Sequence, residues 1–242
     1  MCFILALFGV HPRYPLVIAA NRDESRARPS TGPHLWPGSP AIWAGQDDVA
    51  GGTWLGVNTT GLVAAITNRV GGPVDRALPS RGQLCLAVLR QPDLPAARAT
   101  IEADLAVRGY NPFNLLVATV DEGWVTTWRG TSRALSRGAH VVTNHGDLDN
   151  SSDPAVPRAL EAIGQLGVAD QELDPLLHAL GQLCSDTREP NPICRPEGDR
   201  GTVSSSLIAL DTNGAIAAYW HADGPPTSHQ YKPVNVGVER VA

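Results

Sequence analysis

Met1-Cys2-Phe3-Ile4-Leu5-Ala6-Leu7-Phe8-Gly9, then a Pro-containing turn over residues 11–15, then Leu16-Val17-Ile18-Ala19-Ala20-Asn21-Arg22-Asp23-Glu24: the reading of the chain turns on this stretch. Two apolar runs separated by a short turn predict a β-hairpin. Because the runs are continuous rather than alternating, both faces of each strand are expected to be covered. A hairpin also returns the end of its second strand to the start of its first, which brings residues 21–24 beside Cys2. A small residue behind the initiator methionine permits removal of Met1. Cys2 would then carry both a thiol and a free α-amine, whose pKa near ~7.7–8 suits it to take up the thiol proton.

Working outward, further strands are expected over residues 41–44, 53–57, 62–68, 113–119, 124–129, 140–144, 203–211 and 215–220, about ten in all with the hairpin. Helices are expected over 80–90, opened by Ser80-Arg81-Gly82-Gln83 as a capping box, and over 96–108, 155–164 and 171–184. Runs of strands and pairs of helices, instead of strict alternation, predict an α+β fold with mostly antiparallel sheets and helices outside them. A four-layer α/β/β/α sandwich in a single domain over residues 1–242 satisfies both the doubly covered strands and the helix pairs. Residues 188–200, rich in proline and balanced in charge, are expected to form an exposed loop before the last hairpin, where loops often border sites.

Composition excludes several function classes. With 43% apolar residues and a net charge of −5, the chain has no basic footprint for nucleic acid or an anionic membrane. The run 2–10 lacks a basic flank and a small-residue cleavage site and is too short to span a bilayer, so a cytoplasmic protein without stable membrane insertion is expected. Cys2, Cys85, Cys184 and Cys194 have no CxxC spacing, and the seven histidines have no HxxxH or HExxH spacing, so neither a metal site nor a cofactor is expected. His145 with Asp147 and Asp149 reads as a solvated loop. Gly51-Gly52-Thr53 and Gly71-Gly72-Pro73 read as turns rather than phosphate cradles, since neither follows a strand and opens a helix.

The ordered motifs carry a family resemblance. Met1-Cys2, Asn21-Arg22-Asp23-Glu24, the run Gly51-Gly52-Thr53-Trp54-Leu55-Gly56-Val57-Asn58, Phe113-Asn114-Leu115-Leu116-Val117, Thr143-Asn144 and Gly201-Thr202 resemble the NRDE family, also called the transport and Golgi organisation protein 2 family, over nearly the whole chain. That resemblance implies links to haem trafficking and acyl-lipid metabolism. The chain is more distantly similar to the choloylglycine hydrolase and penicillin V acylase group, which implies the N-terminal-nucleophile hydrolase fold. On that likeness Cys2 matches the nucleophile, Asp23 the residue orienting the amine, Asn68 (after Asn58-Thr59-Thr60-Gly61-Leu62) the oxyanion-hole asparagine, and Asn144 (after Val142-Thr143) the second site asparagine. Neutral amide donors suit an oxyanion, because they stabilise it without titrating.

Two positions depart from those patterns. Ala20 stands where the hydrolases have an arginine, and Val203 where many NRDE proteins have one; Arg22, on the same strand face as Ala20, and Arg200 are the candidate replacements. Trp36, Trp43 and Trp54 lie in or just before strands, as core packing or as the lining of an apolar pocket. Arg69 and Arg81 are either exposed or able to attract an anionic group. Asn21, Arg22, Trp54, Arg69 and Arg200 thus make up the expected substrate-binding set around the catalytic set Cys2, Asp23, Asn68 and Asn144. The expected activity is hydrolysis or acyl transfer at an amide, ester or thioester carbonyl of a small or lipid-like substrate. The alternative is a non-catalytic carrier of haem or an acyl lipid.

Overall fold

A computed structural model of the chain describes residues 2–71 and 74–237. Met1 and the Gly72-Pro73 part of the second glycine turn lie outside the described residues. The opening hairpin forms as expected: β1 (Phe3–Phe8) pairs antiparallel with β2 (Leu16–Ser25), with Phe3 opposite Asn21 and Phe8 opposite Leu16. β2 continues through residues 21–25 because β11 (Arg200–Leu210) pairs with it along its whole length. Asn21-Arg22-Asp23-Glu24 is therefore strand, not the turn after one.

The strands between these two are β3 (Ser30–Trp36), β4 (Ile42–Asp47), β5 (Leu55–Asn58), β6 (Val63–Asn68), β7 (Phe113–Ala118), β8 (Gly123–Thr127), β9 (Ser132–Ala134) and β10 (Gly138–Thr143); β12 (Ile216–Ala222) and β13 (Lys232–Pro233) follow. One sheet has the order β10-β1-β2-β11-β12-β13 and the other β3 through β9 in sequence, all antiparallel. β3, β9 and β13 were not expected. β3 is interrupted by Gly32-Pro33 and largely open to solvent, and the other two are short and exposed, so none carries a hydrophobic period.

Among the described residues four α-helices cover the outer faces: α1 (Arg81–Leu89), α2 (Leu94–Val107), α3 (Ala155–Gln165) and α4 (Leu173–Cys184). Three apolar layers explain the continuous strands. Phe3, Leu5, Leu7, Val17 and Ala19 pack against α3 and α4, while Ile4, Ala6, Phe8, Ile18 and Ala20 pack between the sheets. Leu62, just before β6, and Ala64 and Ile66 within it pack under α1 and α2. The molecule is thus a four-layer α/β/β/α sandwich. Among the described residues no helix is long and apolar enough to cross a membrane.

Two local expectations need correction. Ser80 is the N-cap residue of α1 but makes no side-chain cap bond; Gln83 instead donates to the Ala50 carbonyl at 2.7 Å. The reason is the contact of two backbones. A Cβ on Gly52 would lie 2.3 Å from the Gly82 carbonyl carbon, and Thr53 N–H bonds to the Gly82 carbonyl at 3.0 Å. The stretch 188–200 is also more than a solvated loop. Ile193 and Cys194 are buried, and the Arg26 guanidinium donates to the carbonyls of Gly198 (2.8 Å) and Pro196 (2.7 Å).

Candidate functional site

Side-chain alternation decides what faces Cys2. Ile4 and Ala20 point between the sheets, so Cys2 and Arg22, two residues along their strands, share that face, whereas Asn21 and Asp23 point to the helices. Phe3 lies opposite Asn21 on one side and Thr143 on the other, so one step further Cys2 is level with Arg22 and Asn144. The Cys2 Sγ lies 3.6 Å from the Asp23 backbone carbonyl oxygen, to which it donates. Burial, and then the Asp23 charge, push the thiol above its ordinary pKa.

Asp23 is held by a residue whose part the sequence motif alone did not disclose. Thr202 Oγ1 donates to Asp23 Oδ1 at 2.8 Å and accepts from the Arg195 backbone N–H at 2.9 Å. This requires Gly201 to pass close to the 195–197 segment, where a Cβ would meet the Arg195 carbonyl oxygen at 2.3 Å. Burial is the largest influence on Asp23 and raises its pKa above the usual carboxylate value, opposed by the Thr202 hydrogen bond and the Arg195 charge.

The two asparagines come to the same end of the sandwich from different sheets. Asn68 ends β6, half-buried, and the Val70 N–H bonds to the Asn144 carbonyl at 2.9 Å, tying the segment after Asn68 to the end of β10. Asn114, within the quoted Phe113–Val117 motif, is fully buried and donates its amide to the carbonyls of Thr143 (3.1 Å) and Gly146 (2.8 Å), which brackets Asn144. Its position in an apolar strand was the available signal, since a buried amide must find partners.

The expected binding residues divide. Arg22 is buried, stacks its guanidinium 4.1 Å from the Trp54 ring centroid and donates to Ser30 Oγ at 2.8 Å, so Arg22 and Trp54 do meet across the sheets. Gly45 leaves room for the indole, because a Cβ there would fall 2.5 Å from it. Asn21, by contrast, donates its amide to the carbonyls of Cys184 (2.8 Å) and Ile193 (3.0 Å), fastening α4 and the following loop to β2. Arg69 is engaged with Asp147, the side-chain Oδ1 of Asn114 and the Trp128 ring. Arg200 pairs with Glu24 at 2.9 Å with 68% of its side chain exposed, and Val203 is the extra residue where the β2–β11 register shifts. Arg200 therefore sits at the rim on a carboxylate rather than in the place of a missing cation. Arg81, expected to be either exposed or able to attract an anionic group, is half-buried at the start of α1, and its field reaches the Cys2 thiol.

Buried polar atoms without a hydrogen-bond partner among the described residues collect in this region: Asn21 Oδ1, Asn144 Oδ1, Ser204 Oγ and Arg195 Nε, with His221 Nε2 elsewhere. Ser204 lies opposite Arg22, and Arg195 adjoins Thr202. Among the described residues no group of three His, Cys, Asp or Glu side chains could hold a metal ion.

With this geometry established, comparison with known proteins adds the following. The family model described as Transport and Golgi organisation 2 matches residues 1–219. A Homo sapiens protein named Transport and Golgi organization protein 2 homolog is 35% identical over 125 residues, covering 49% of this chain and 45% of its own length. The Bos taurus homolog is 32% identical over 139 residues, 54% of this chain and 50% of its own. The matched region thus spans about half the length of these curated relatives. Penicillin V acylase from Agrobacterium tumefaciens is similar in structure, with a TM-score of 0.56 at 12% identity, covering 96% of this chain and 98% of that one. A variant of conjugated bile acid hydrolase from Clostridium perfringens has a TM-score of 0.58 at 10% identity with all of both chains covered. A Caenorhabditis elegans ortholog of N-acylethanolamine-hydrolyzing acid amidase has a TM-score of 0.55 at 14% identity, covering 86% and 92%. At these identities the likeness is one of fold.

Proposed function

The chain belongs to the Transport and Golgi organisation 2 family, and from that premise we propose that it is a cysteine N-terminal-nucleophile hydrolase or acyl-transfer enzyme acting on an amide, ester or thioester carbonyl. The carrying observation is the gathering of partnerless buried polar atoms, Asn144 Oδ1 and Ser204 Oγ among them, around the strand row that holds Cys2. Such atoms cost stability unless they serve something else. Its fold likeness to acylases and an amidase supports the same reading.

In this reading Met1 is removed and the α-amine of Cys2, oriented by the Asp23 carboxylate, takes the thiol proton. A base is needed because burial holds the thiol above its ordinary pKa. Sγ bonds to the substrate carbonyl carbon, and the oxygen becomes an oxyanion that the amide N–H groups of Asn68 and Asn144 receive. Collapse breaks the bond to the leaving group, which departs with the proton held by the amine and leaves a thioester on Cys2. Water or an acceptor alcohol or amine then attacks that thioester, yields its proton to the amine, and releases the acyl product.

Intact-mass measurement should show loss of Met1 and acylation of Cys2 by a p-nitrophenyl ester, with labelling lost in Cys2→Ala. Full retention of Met1 in reactive protein would sink the amine-as-base mechanism. One observation favours the second reading, a carrier of an apolar or haem-like ligand: a cavity of about 800 Å³ where β3 faces β12 and β13, with His34, His221 and His229 in its lining. Spectroscopic haem titration of wild type and Cys2→Ala separates the two readings. Tight binding indifferent to Cys2, with no ester turnover, supports the carrier.

A further inference from the structure

Eight of the described arginines are matched by carboxylates. Arg28 is bidentate on Asp47 with contacts of 2.8–3.1 Å, Arg158 holds Asp186 at 2.8 Å, and Arg200 holds Glu24 at 2.9 Å. Arg22 and Arg81 are different. Each has lost much of its water, and burial is the largest influence lowering its pKa, yet neither makes an ion pair among the described residues. Arg22 spends one nitrogen on Ser30 Oγ, and Arg81 one on the Pro112 carbonyl at 3.1 Å. The rest of each planar donor fork is uncommitted among those residues.

Arg22, on β2 of the first sheet, and Arg81, opening α1 outside the second sheet, lie at the same end of the sandwich. Arg22 is level with Cys2 on β2. Arg81 is placed by three contacts: its neighbour Gly82 abuts Gly52, the Thr53 N–H bonds to the Gly82 carbonyl immediately before Trp54, and the Pro112 carbonyl that accepts from Arg81 also accepts the N–H of Arg69, the residue after Asn68. The fields of both reach the Cys2 thiol. The carboxylates whose fields act on them are already held: Glu24, felt by both, by Arg200, and Asp47, felt by Arg22, by Arg28. Desolvated cations left without a counter-charge destabilise a fold by an amount that a bound anion recovers.

We infer that Arg22 and Arg81 form a subsite for an anionic group, a carboxylate or a phosphate, carried by the substrate close to its reactive carbonyl. That placement rests on reading Cys2 as the nucleophile; the preference for an anion does not. Two arginine forks suit a group with several oxygens, which can accept from both at once.

Calorimetric titration of the whole protein with N-octanoylglycine, octyl phosphate and the neutral N-octanoylglycinamide, each ligand recovered and checked for cleavage, tests it through binding. At least one anion should bind about tenfold or more tightly than the amide, the scale of one or two charge-assisted hydrogen bonds, and the tighter of the two identifies the group. Arg81→Met should reduce the preference to under about threefold, Arg81→Lys should keep part of it, and added salt should weaken it. A ratio near one in the wild type overturns the inference whatever the variants do, and so does a preference that Arg81→Met leaves intact. Anion preference without acylation of Cys2 sinks the catalytic reading and keeps this subsite; acylation without anion preference does the reverse.

Discussion

Replacing Asn114 by alanine should separate the architecture of the site from the bulk of the fold. Asn114 is fully buried on β7 and donates to the carbonyls of Thr143 at 3.1 Å and Gly146 at 2.8 Å, one on each side of Asn144. Losing two buried hydrogen bonds removes about 1 kcal/mol each, and the carbonyls left behind add desolvation cost where water cannot reach them, for a total of about 2–4 kcal/mol. For a chain of this size that lowers Tm by roughly 5–15 °C. Urea unfolding should show a lower midpoint with an unchanged m-value, because the surface exposed on unfolding is the same. At a temperature where the variant is still fully folded, the rate of Cys2 acylation should fall by about tenfold to a hundredfold, since Asn144 would no longer be held for the oxyanion. A variant that loses stability as calculated but acylates at the wild-type rate would refute the reasoning: Asn114 would then be core, not a clamp on the site.

Asp23→Asn should lower Cys2 acylation sharply while raising Tm at neutral pH. Burial raises the Asp23 pKa in the folded protein, so wild-type stability declines as pH rises from the unfolded carboxylate value through the folded one, and the neutral amide removes that decline; a Tm that falls at pH 7 argues against it. His221 and His140 should give opposite pH slopes. Burial depresses the His221 pKa to about 4, so its contribution is lost as pH falls from about 6.5 towards 4, whereas the hydrogen bond to Asp149 raises His140, whose contribution is lost as pH rises through its folded pKa. Stability measured from pH 4.5 to 8.5 should therefore lose its acid limb in His221→Phe and its neutral limb in Asp149→Asn, and parallel profiles would contradict both assignments. Gly52→Ala should cost more than about 2 kcal/mol, because the new Cβ meets backbone 2.3 Å away that no side-chain rotation can relieve; a drop in Tm of less than about 2 °C would show that the α1 start is free to move.

How much was legible in advance depended on whether the signal was local. The opening runs are uninterrupted apolar sequence on both sides of a Pro-containing turn, so the hairpin, its double burial and the four-layer sandwich followed from residues close together in the chain. Cys2, Asn21–Glu24, Asn68 and Asn144 were visible as motifs for the same reason. Their division of labour was not. Asn21 and Asp23 face the helices while Cys2 and Arg22 face the other sheet, an alternation that depends on β2 continuing as strand, which only its pairing with β11, some 180 residues away, ensures. The partners of Asp23, Asn144 and Arg81 are likewise distant: Thr202, a clamp from Asn114, and the contact of Gly52 with Gly82. Arg69 and Arg200 read as cations available to a ligand, and tertiary structure closed them onto Asp147 and Glu24. Sequence by itself determined the strands that carry a hydrophobic run, what they bury and that a cysteine heads the first of them, while the exposed β3, β9 and β13 left no such mark. Tertiary structure alone decided which charges are spent and which are left over, because a side chain's electrostatic partner is set by proximity in space, and the chain's local pattern carries no record of it.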